Sequence, residues 1–183
     1  MKQTTTIFTC IIALSFIFSS WMLPHPWKEF ISTEGKFRVM IPGKLTQKSN
    51  EMKTPIGTLT YHTYLHQPEE KDADNLVYMV SYCEYPRNAI HSDSLTLIDD
   101  FFETTVGTAV ASVDGELQYN SNIKILDYPG RIWKVAYNEG EALIKTKAYL
   151  VNNRYYSIQT IMLKDKSLNF SADKFLDSFQ LID

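Results

Sequence analysis

Residues 131–150 read RIWKVAYNEGEALIKTKAYL, and the way this stretch folds back on itself decides the architecture. Arg131 to Tyr137 and Ala142 to Leu150 are both rich in β-branched and aromatic residues. Between them Glu139–Gly140 suits a two-residue hairpin turn. That turn places Trp133 opposite Thr146 and Val135 opposite Ile144 on one face. Lys134 then falls opposite Lys145, and Ile132 opposite Lys147, on the other. A slip of one residue would exchange the two faces, so the register carries the prediction.

The pattern extends in both directions. Downstream, Asn152–Asn153 tolerates positive φ and makes the next turn, leading into a strand from Arg154 to Met162. A short helix from about Ser171 to Ser178 directs Phe170, Phe175, Leu176 and Phe179 towards a core. Upstream, residues 116–126 form a strand that turns at Tyr128–Pro129–Gly130. Before it, Leu95, Ile98, Phe101, Phe102, Val106, Ala109, Val110 and Val113 recur at helical spacing. Ser92 or Asp93 can cap this helix, and Asp114–Gly115 ends it.

Nearer the N-terminus, Phe37, Val39 and Ile41 alternate with polar neighbours up to Pro42–Gly43. A polar segment, residues 46–53, runs into Thr54–Pro55–Ile56–Gly57, which suits a type I turn. Leu59, Tyr61, Thr63 and Leu65 then alternate in a strand. A charged loop (residues 67–74) and a strand from Leu76 to Glu84 follow, stopping before Pro86. Strands outnumber helices and consecutive strands pair. The class is α+β: an antiparallel sheet sandwiched by helices, α/β/α in layer order.

The chain has 183 residues, 44% apolar and 21% charged, with a net charge of −3. This is a globular mixture, which excludes disorder, collagen-like repeats and coiled coil. The charge argues against a nucleic-acid groove. Lys2 followed by an apolar run from Ile7 to Leu23 has the form of an export signal, and the run is 17 residues long, at the lower limit for an uncleaved anchor. Residues 1–23 are thus a signal peptide or anchor, and 24–183 a single domain. Cys10 lies inside the apolar run rather than after it, where a lipid-attachment cysteine would stand. Removal of the leader leaves 17 basic and 21 acidic residues, a charge of −4, and Cys83 as the single thiol. A lone thiol in an oxidising compartment is expected to be buried.

Two segments carry a family resemblance. Phe30-Ile-Ser-Thr-Glu-Gly-Lys-Phe-Arg-Val-Met-Ile-Pro-Gly43 resembles the opening of small exported proteins with the PsbP-like fold. Arg154–Tyr155–Tyr156–Ser157–Ile158, with the later Lys174–Phe175–Leu176–Asp177–Ser178–Phe179, resembles their close. That superfamily includes extrinsic subunits of photosystem II and a Ran-binding nuclear-import cofactor. The resemblance implies an α/β/α sandwich and lowers the expectation of catalysis, because those members act by binding. It supplies no binding motif to transfer.

Candidate chemistry is sparse. His62 and His66 share a strand face but lie about 13 Å apart at strand rise, too far to ligate one ion. The acidic loop Glu69–Glu70–Lys71–Asp72–Ala73–Asp74 lacks the glycine and the closing bidentate Glu of a calcium loop. Cys83, with His91 as a conceivable base, sits mid-strand without a feature that lowers a thiol pKa. No nucleophile elbow, zinc-protease helix, dinucleotide fingerprint or phosphate loop is present. Asn169–Phe170–Ser171 matches the glycosylation triplet. Among the aromatic residues, Tyr149, Tyr155 and Tyr156 cluster at one end of a hairpin, where sheet packing or an interface would equally use them.

The expectation is a non-catalytic exported binding or accessory domain of the cell envelope, with no cofactor or metal and no nucleic acid. Its partner is a protein or small molecule, and membrane contact comes only through the N-terminal segment if uncleaved. The alternatives are a carrier of a small apolar ligand and a hydrolase or transferase of unfamiliar type. The candidate contact residues are Lys134, Lys145 and Lys147, three cations on one strand face. Three readings compete for them: solvated lysines, lysines neutralised by Asp173 or Asp177, or a basic patch for an acidic partner.

Overall fold

The computed structural model describes residues 27–183. The leader, residues 1–23, lies outside the described residues. Ten strands and two α-helices follow in the order β1 (Lys28–Ser32), β2 (Phe37–Ile41), β3 (Thr46–Thr54), β4 (Gly57–His66), β5 (Val77–Glu84), α1 (Leu95–Ala111), β6 (Glu116–Ile125), β7 (Tyr128–Tyr137), β8 (Ala142–Val151), β9 (Arg154–Leu163), α2 (Phe170–Asp177) and β10 (Gln180–Leu181). A single 3-10 turn, Lys164–Lys166, precedes α2.

Seven strands form one antiparallel sheet in the order β3-β4-β5-β9-β8-β7-β6. Two meanders, β3 to β5 and β6 to β9, join where β5 pairs with β9. Helix α1 connects them and must therefore cross the sheet. It buries Ile98, Phe102 and Val106 against Cys83, Trp133, Val135, Ala148 and Leu150. Those three helix positions are four residues apart, which aligns them in one stripe.

The opposite face carries Tyr64, Tyr78, Val80, Tyr82, Tyr149, Tyr156 and Ile158. It is covered by a second sheet of three strands, β1-β2-β10, together with α2. Phe37, Val39 and Ile41 point inward from β2 at period two, and Phe175, Leu176 and Phe179 come from the C-terminal segment. The layer opposite α1 is thus a mixture of small sheet and a two-turn helix, where helices alone were expected. Strands β1 and β10 carry no sequence pattern of their own. Each is too short to show a period, and each is held by pairing with β2.

The predicted hairpin register is observed: Trp133 opposes Thr146, Val135 Ile144, Lys134 Lys145, and Ile132 Lys147. Its loop is longer than two residues. Pairing ends at Tyr137–Ala142, and Asn138, Glu139 and Gly140 all take positive φ. Asn152–Asn153 makes the next turn, with Asn152 at φ 55°.

Four local expectations are corrected. The polar segment before Pro55 is a nine-residue edge strand, β3, exposed along almost its whole length. Backbone pairing with β4 holds it rather than burial, so no apolar alternation marks it. The turn expected at Tyr128–Pro129–Gly130 falls earlier, at Leu126–Asp127, with Leu126 at φ 52°. Gly130 lies inside β7, because a Cβ there would run into the Tyr149 ring; the glycine serves close approach rather than a turn. Helix α1 begins after Ser94, and no side chain caps it. Phe170 points away from the core and is among the most exposed apolar residues. Helix α2 begins at Phe170, beside the expected start near Ser171, and Asn169 caps it, accepting a hydrogen bond from Ala172 N.

Candidate functional site

The densest group of polar side chains gathers beneath the β1–β2 turn. That turn is clamped from several sides. Gly35 N donates to Ser32 Oγ at 2.9 Å, Ser32 Oγ meets the Tyr64 hydroxyl at 2.9 Å, and the Tyr156 hydroxyl donates to Gly35 O at 2.8 Å. Lys36 takes φ 52°, and a Cβ on Gly35 would collide with the Phe37 ring, so glycine is required by close packing. The clamped turn overhangs an open cleft of about 280 Å³ lined by Glu34, Thr58, Thr60, His62, Tyr82, Glu84 and Arg154.

Sheet register brings these residues together. His62 of β4 opposes Tyr82 of β5, and Tyr82 opposes Tyr156 of β9, while Glu84 opposes Arg154. The His62 ring stacks on Tyr82, centroids 4.7 Å apart and planes 17° from parallel. His62 Nδ1 and Ser49 Oγ on β3 share a hydrogen bond of 3.0 Å. The Arg154 guanidinium stands 5.1 Å from the centre of the Tyr82 ring.

Arg154 is largely engaged. Its Nε donates to Glu84 Oε1 at 2.9 Å, its Nη2 reaches the same oxygen, and its Nη1 donates to Glu34 O at 3.0 Å. Burial by itself lowers the Arg154 pKa, but hydrogen bonds to Glu84 and Tyr156 carry the balance upward, so the cation is retained. Burial, and then the neighbouring Tyr64, push the Tyr82 pKa up. The Tyr82 hydroxyl is buried and meets no hydrogen-bond partner among the described residues.

Chemically the cleft offers contacts more than reactivity. A serine nucleophile needs a base, a third group to orient that base, and donors for an oxyanion. Ser49 and His62 supply the first pair, but no carboxylate hydrogen bond to His62 is seen among the described residues, and Glu84 of the cleft is occupied by Arg154. Cys83 is on the opposite face of β5, fully buried beneath α1. Burial pushes its thiol pKa up to about 11, away from the reactive thiolate. His91 Nδ1 turns instead to Asp93, at 3.4 Å from its carboxylate.

The other candidates read from sequence have separate placements. His66 Nδ1 lies 3.1 Å from Lys44 O, so the two histidines of β4 make different contacts. Among the described residues no three His, Cys, Asp or Glu side chains gather where a metal ion could be held. Asn169 of the glycosylation triplet caps α2 and exchanges hydrogen bonds with Asn75. Lys134, Lys145 and Lys147 do share the face that carries α2. Lys145 Nζ donates to Asp173 at 2.7 Å and Lys147 Nζ to Asp177. Lys134 lies 5.4 Å from the centre of the Tyr119 ring.

Of the cleft residues the sequence singles out only His62, and as a metal-ligand candidate paired with His66 rather than as part of this group. Glu34, Thr58, Tyr82 and Arg154 are distant along the chain; the β4–β5 and β5–β9 pairings and the Arg154 hydrogen bond to Glu34 O make them neighbours.

The architecture also has a counterpart among solved structures. The chain is similar to cyanobacterial PsbP (CyanoP) from Synechocystis sp. PCC 6803, with a TM-score of 0.55 over 86% of this chain and 93% of that one. The fold is PsbP-like. Sequence identity to that structure is 12%, so the likeness is one of fold alone. No protein-family model matches the sequence, and no curated protein matches it either. The resemblance read from Phe30–Gly43 and from the C-terminal helix therefore holds at the level of the PsbP-like fold, whose opening strands and closing helix those segments form.

Proposed function

We propose that this chain is a non-catalytic accessory domain, exported to the cell envelope, that works by binding a partner through the cleft under the β1–β2 turn. The observation that carries this reading is the Arg154–Glu84 pair. It holds the cleft's arginine and the Glu84 carboxylate against each other, leaving hydroxyls, ring faces and the Glu34 side chain for contact. The PsbP-like fold supports a binding role over catalysis, and the apolar leader supports export. The cleft is lined by polar side chains, which suits a polar segment of a partner better than the apolar cargo of a carrier.

Affinity capture from the native envelope tests this with three baits: the unmodified chain, Thr58→Arg with Thr60→Arg, and Lys134→Gln with Lys145→Gln and Lys147→Gln. The unmodified chain and the lysine variant are expected to retain one common partner that the cleft variant loses. Equal capture by all three removes the cleft from the binding surface. Loss from the lysine variant alone moves the contact to the β7–β8 face.

A further inference from the structure

Leu168 and Phe170 are 97% and 80% exposed, the largest exposures among the described large apolar residues. Leu168 projects from the short connection between β9 and α2, and Phe170 from the first position of α2. Leu163, just before it, and Leu76, on the loop beside it, are also exposed. This tip is firmly held. Asn169, between the two, accepts from Ala172 N at 2.6 Å and Asn75 Nδ2 at 3.0 Å, and donates to Lys166 O at 2.8 Å. Lys166 Nζ in turn donates to Ala73 O at 3.0 Å. The cap on α2 needs Asn169 only. Nothing in the fold accounts for a leucine and a phenylalanine on either side of it, since neither reaches the core.

The tip is also where the chain enters the domain. Trp27, the first described residue, packs its ring edge-on against Tyr78, 5.9 Å between centroids. Lys174 of α2 lies over the Trp27 ring at 4.5 Å. The Tyr78 hydroxyl accepts from Asn75, the same residue that pairs with Asn169. The 26 residues before Trp27, with their apolar run from Ile7 to Leu23, therefore join the fold at the end that bears Leu168 and Phe170. A 17-residue apolar run, at the lower limit for spanning a bilayer, thus precedes in sequence the point where the chain enters the fold beside a preorganised pair of projecting apolar side chains. An anchor at one point keeps the domain at the surface, and a second, weaker apolar contact beside it sees a high effective concentration of lipid and fixes the domain's orientation.

We propose that the Leu168–Phe170 tip inserts into the interface of a lipid bilayer, as a second contact beside the N-terminal apolar segment. It rests on that segment staying in the membrane. The domain then stands upright, with the tip down and the cleft near the β1–β2 turn at the far end of the sheet. The adjoining loop, residues 67–76, holds four carboxylates and one lysine, a formal charge of −3. The neighbouring 3-10 turn, Lys164–Asp165–Lys166, adds a formal +1, so the tip's surroundings stay net negative and disfavour anionic headgroups, and the surface sought is a zwitterionic one.

The test uses the full chain, Cys10→Ser, reconstituted into phosphatidylcholine vesicles. An environment-sensitive fluorophore is attached at Leu168→Cys, or at Phe170→Cys as an independent position. Cys83 is buried and stays unlabelled. Leu126→Cys serves as control, being 77% exposed at the opposite end of the sheet. The expected result is a blue-shifted emission, quenched by brominated acyl chains, at 168 and 170 but not at 126. Adding phosphatidylglycerol at low salt reduces the shift. Chain that is extracted from vesicles by alkaline carbonate lacks the anchor, and the proposal falls with it. Chain that stays embedded while 168 and 170 report water, as 126 does, overturns the tip alone. A blue shift already present without vesicles and dependent on concentration assigns the tip to self-association instead.

Discussion

Lys134 and Lys145 face each other directly across β7 and β8, yet their charges leave in different directions. Lys145 reaches Asp173 on α2 at 2.7 Å, while Lys134 lies over the Tyr119 ring at 5.4 Å on the other side. Lys147, two residues along the strand, takes Asp177, four residues along the helix. Two strand residues rise about 6.7 Å and four helix residues about 6 Å, so the cation and anion spacings match. The like-charge opposition that would weaken a sheet is relieved by a helix laid along it.

That geometry predicts a modest, salt-sensitive coupling. A double-mutant cycle on Lys145→Gln and Asp173→Asn, read by urea unfolding, is expected to give about 0.5 kcal/mol, since Asp173 is more than half exposed. The coupling should shrink with added salt. A value near zero at low ionic strength would show that helix packing, not charge, holds α2 in place.

Phe101 and Phe102 are adjacent on α1 but unequal. Phe102 is buried against the sheet, whereas Phe101 is half-buried between Tyr85 and Tyr155. Phe102→Ala should cost about 3–5 kcal/mol. Phe101→Ala should cost roughly 1–2 kcal/mol, from partial burial and lost ring contacts. Equal losses would mean that α1 sits deeper than described.

Gly107 lies in the middle of α1 with open space where a Cβ would stand. Gly107→Ala is therefore expected to stabilise the domain by about 0.5–1 kcal/mol, because alanine loses less backbone entropy in a helix. Thermal unfolding measures it, and a lower Tm would contradict it.

Alkaline pH should destabilise the fold in a defined window. Burial raises the Cys83 thiol from an ordinary 9.0 to about 11. Below pH 9 the thiol is protonated in both states and its full contribution is present. Between about pH 9 and 11 the unfolded thiol ionises while the folded one does not, so up to roughly 2–3 kcal/mol is lost. Burial likewise pushes Tyr149 up to about 12, and its hydroxyl adds to the slope once unfolded tyrosine ionises. Urea unfolding at mildly and strongly alkaline pH should show a shallower decline for Cys83→Ala than for the unmodified chain. Identical slopes would exclude Cys83 as a source.

Much of the molecule was already written in residue order. Alternation puts Trp133 and Val135 on one face of β7, and the turn around Glu139–Gly140 sets Thr146 and Ile144 opposite them. The 98–102–106 stripe set the buried side of α1. Both signals are local and periodic, and burial enforces them. What left no period in the sequence was decided by tertiary pairing. Strand β3 is exposed and held by backbone hydrogen bonds to β4, which any polar sequence can make. Gly130 reads as a turn residue until the Tyr149 ring of the neighbouring strand occupies the space of its missing side chain. Phe170 reads as core at helical spacing, but Asn169 caps α2 one residue earlier and turns that phenylalanine outward. The cleft depends on the β5–β9 pairing, which joins strands some seventy residues apart through contacts that no local pattern records. Periodicity reports which face of an element is buried; which elements meet is settled by how their buried faces pack together.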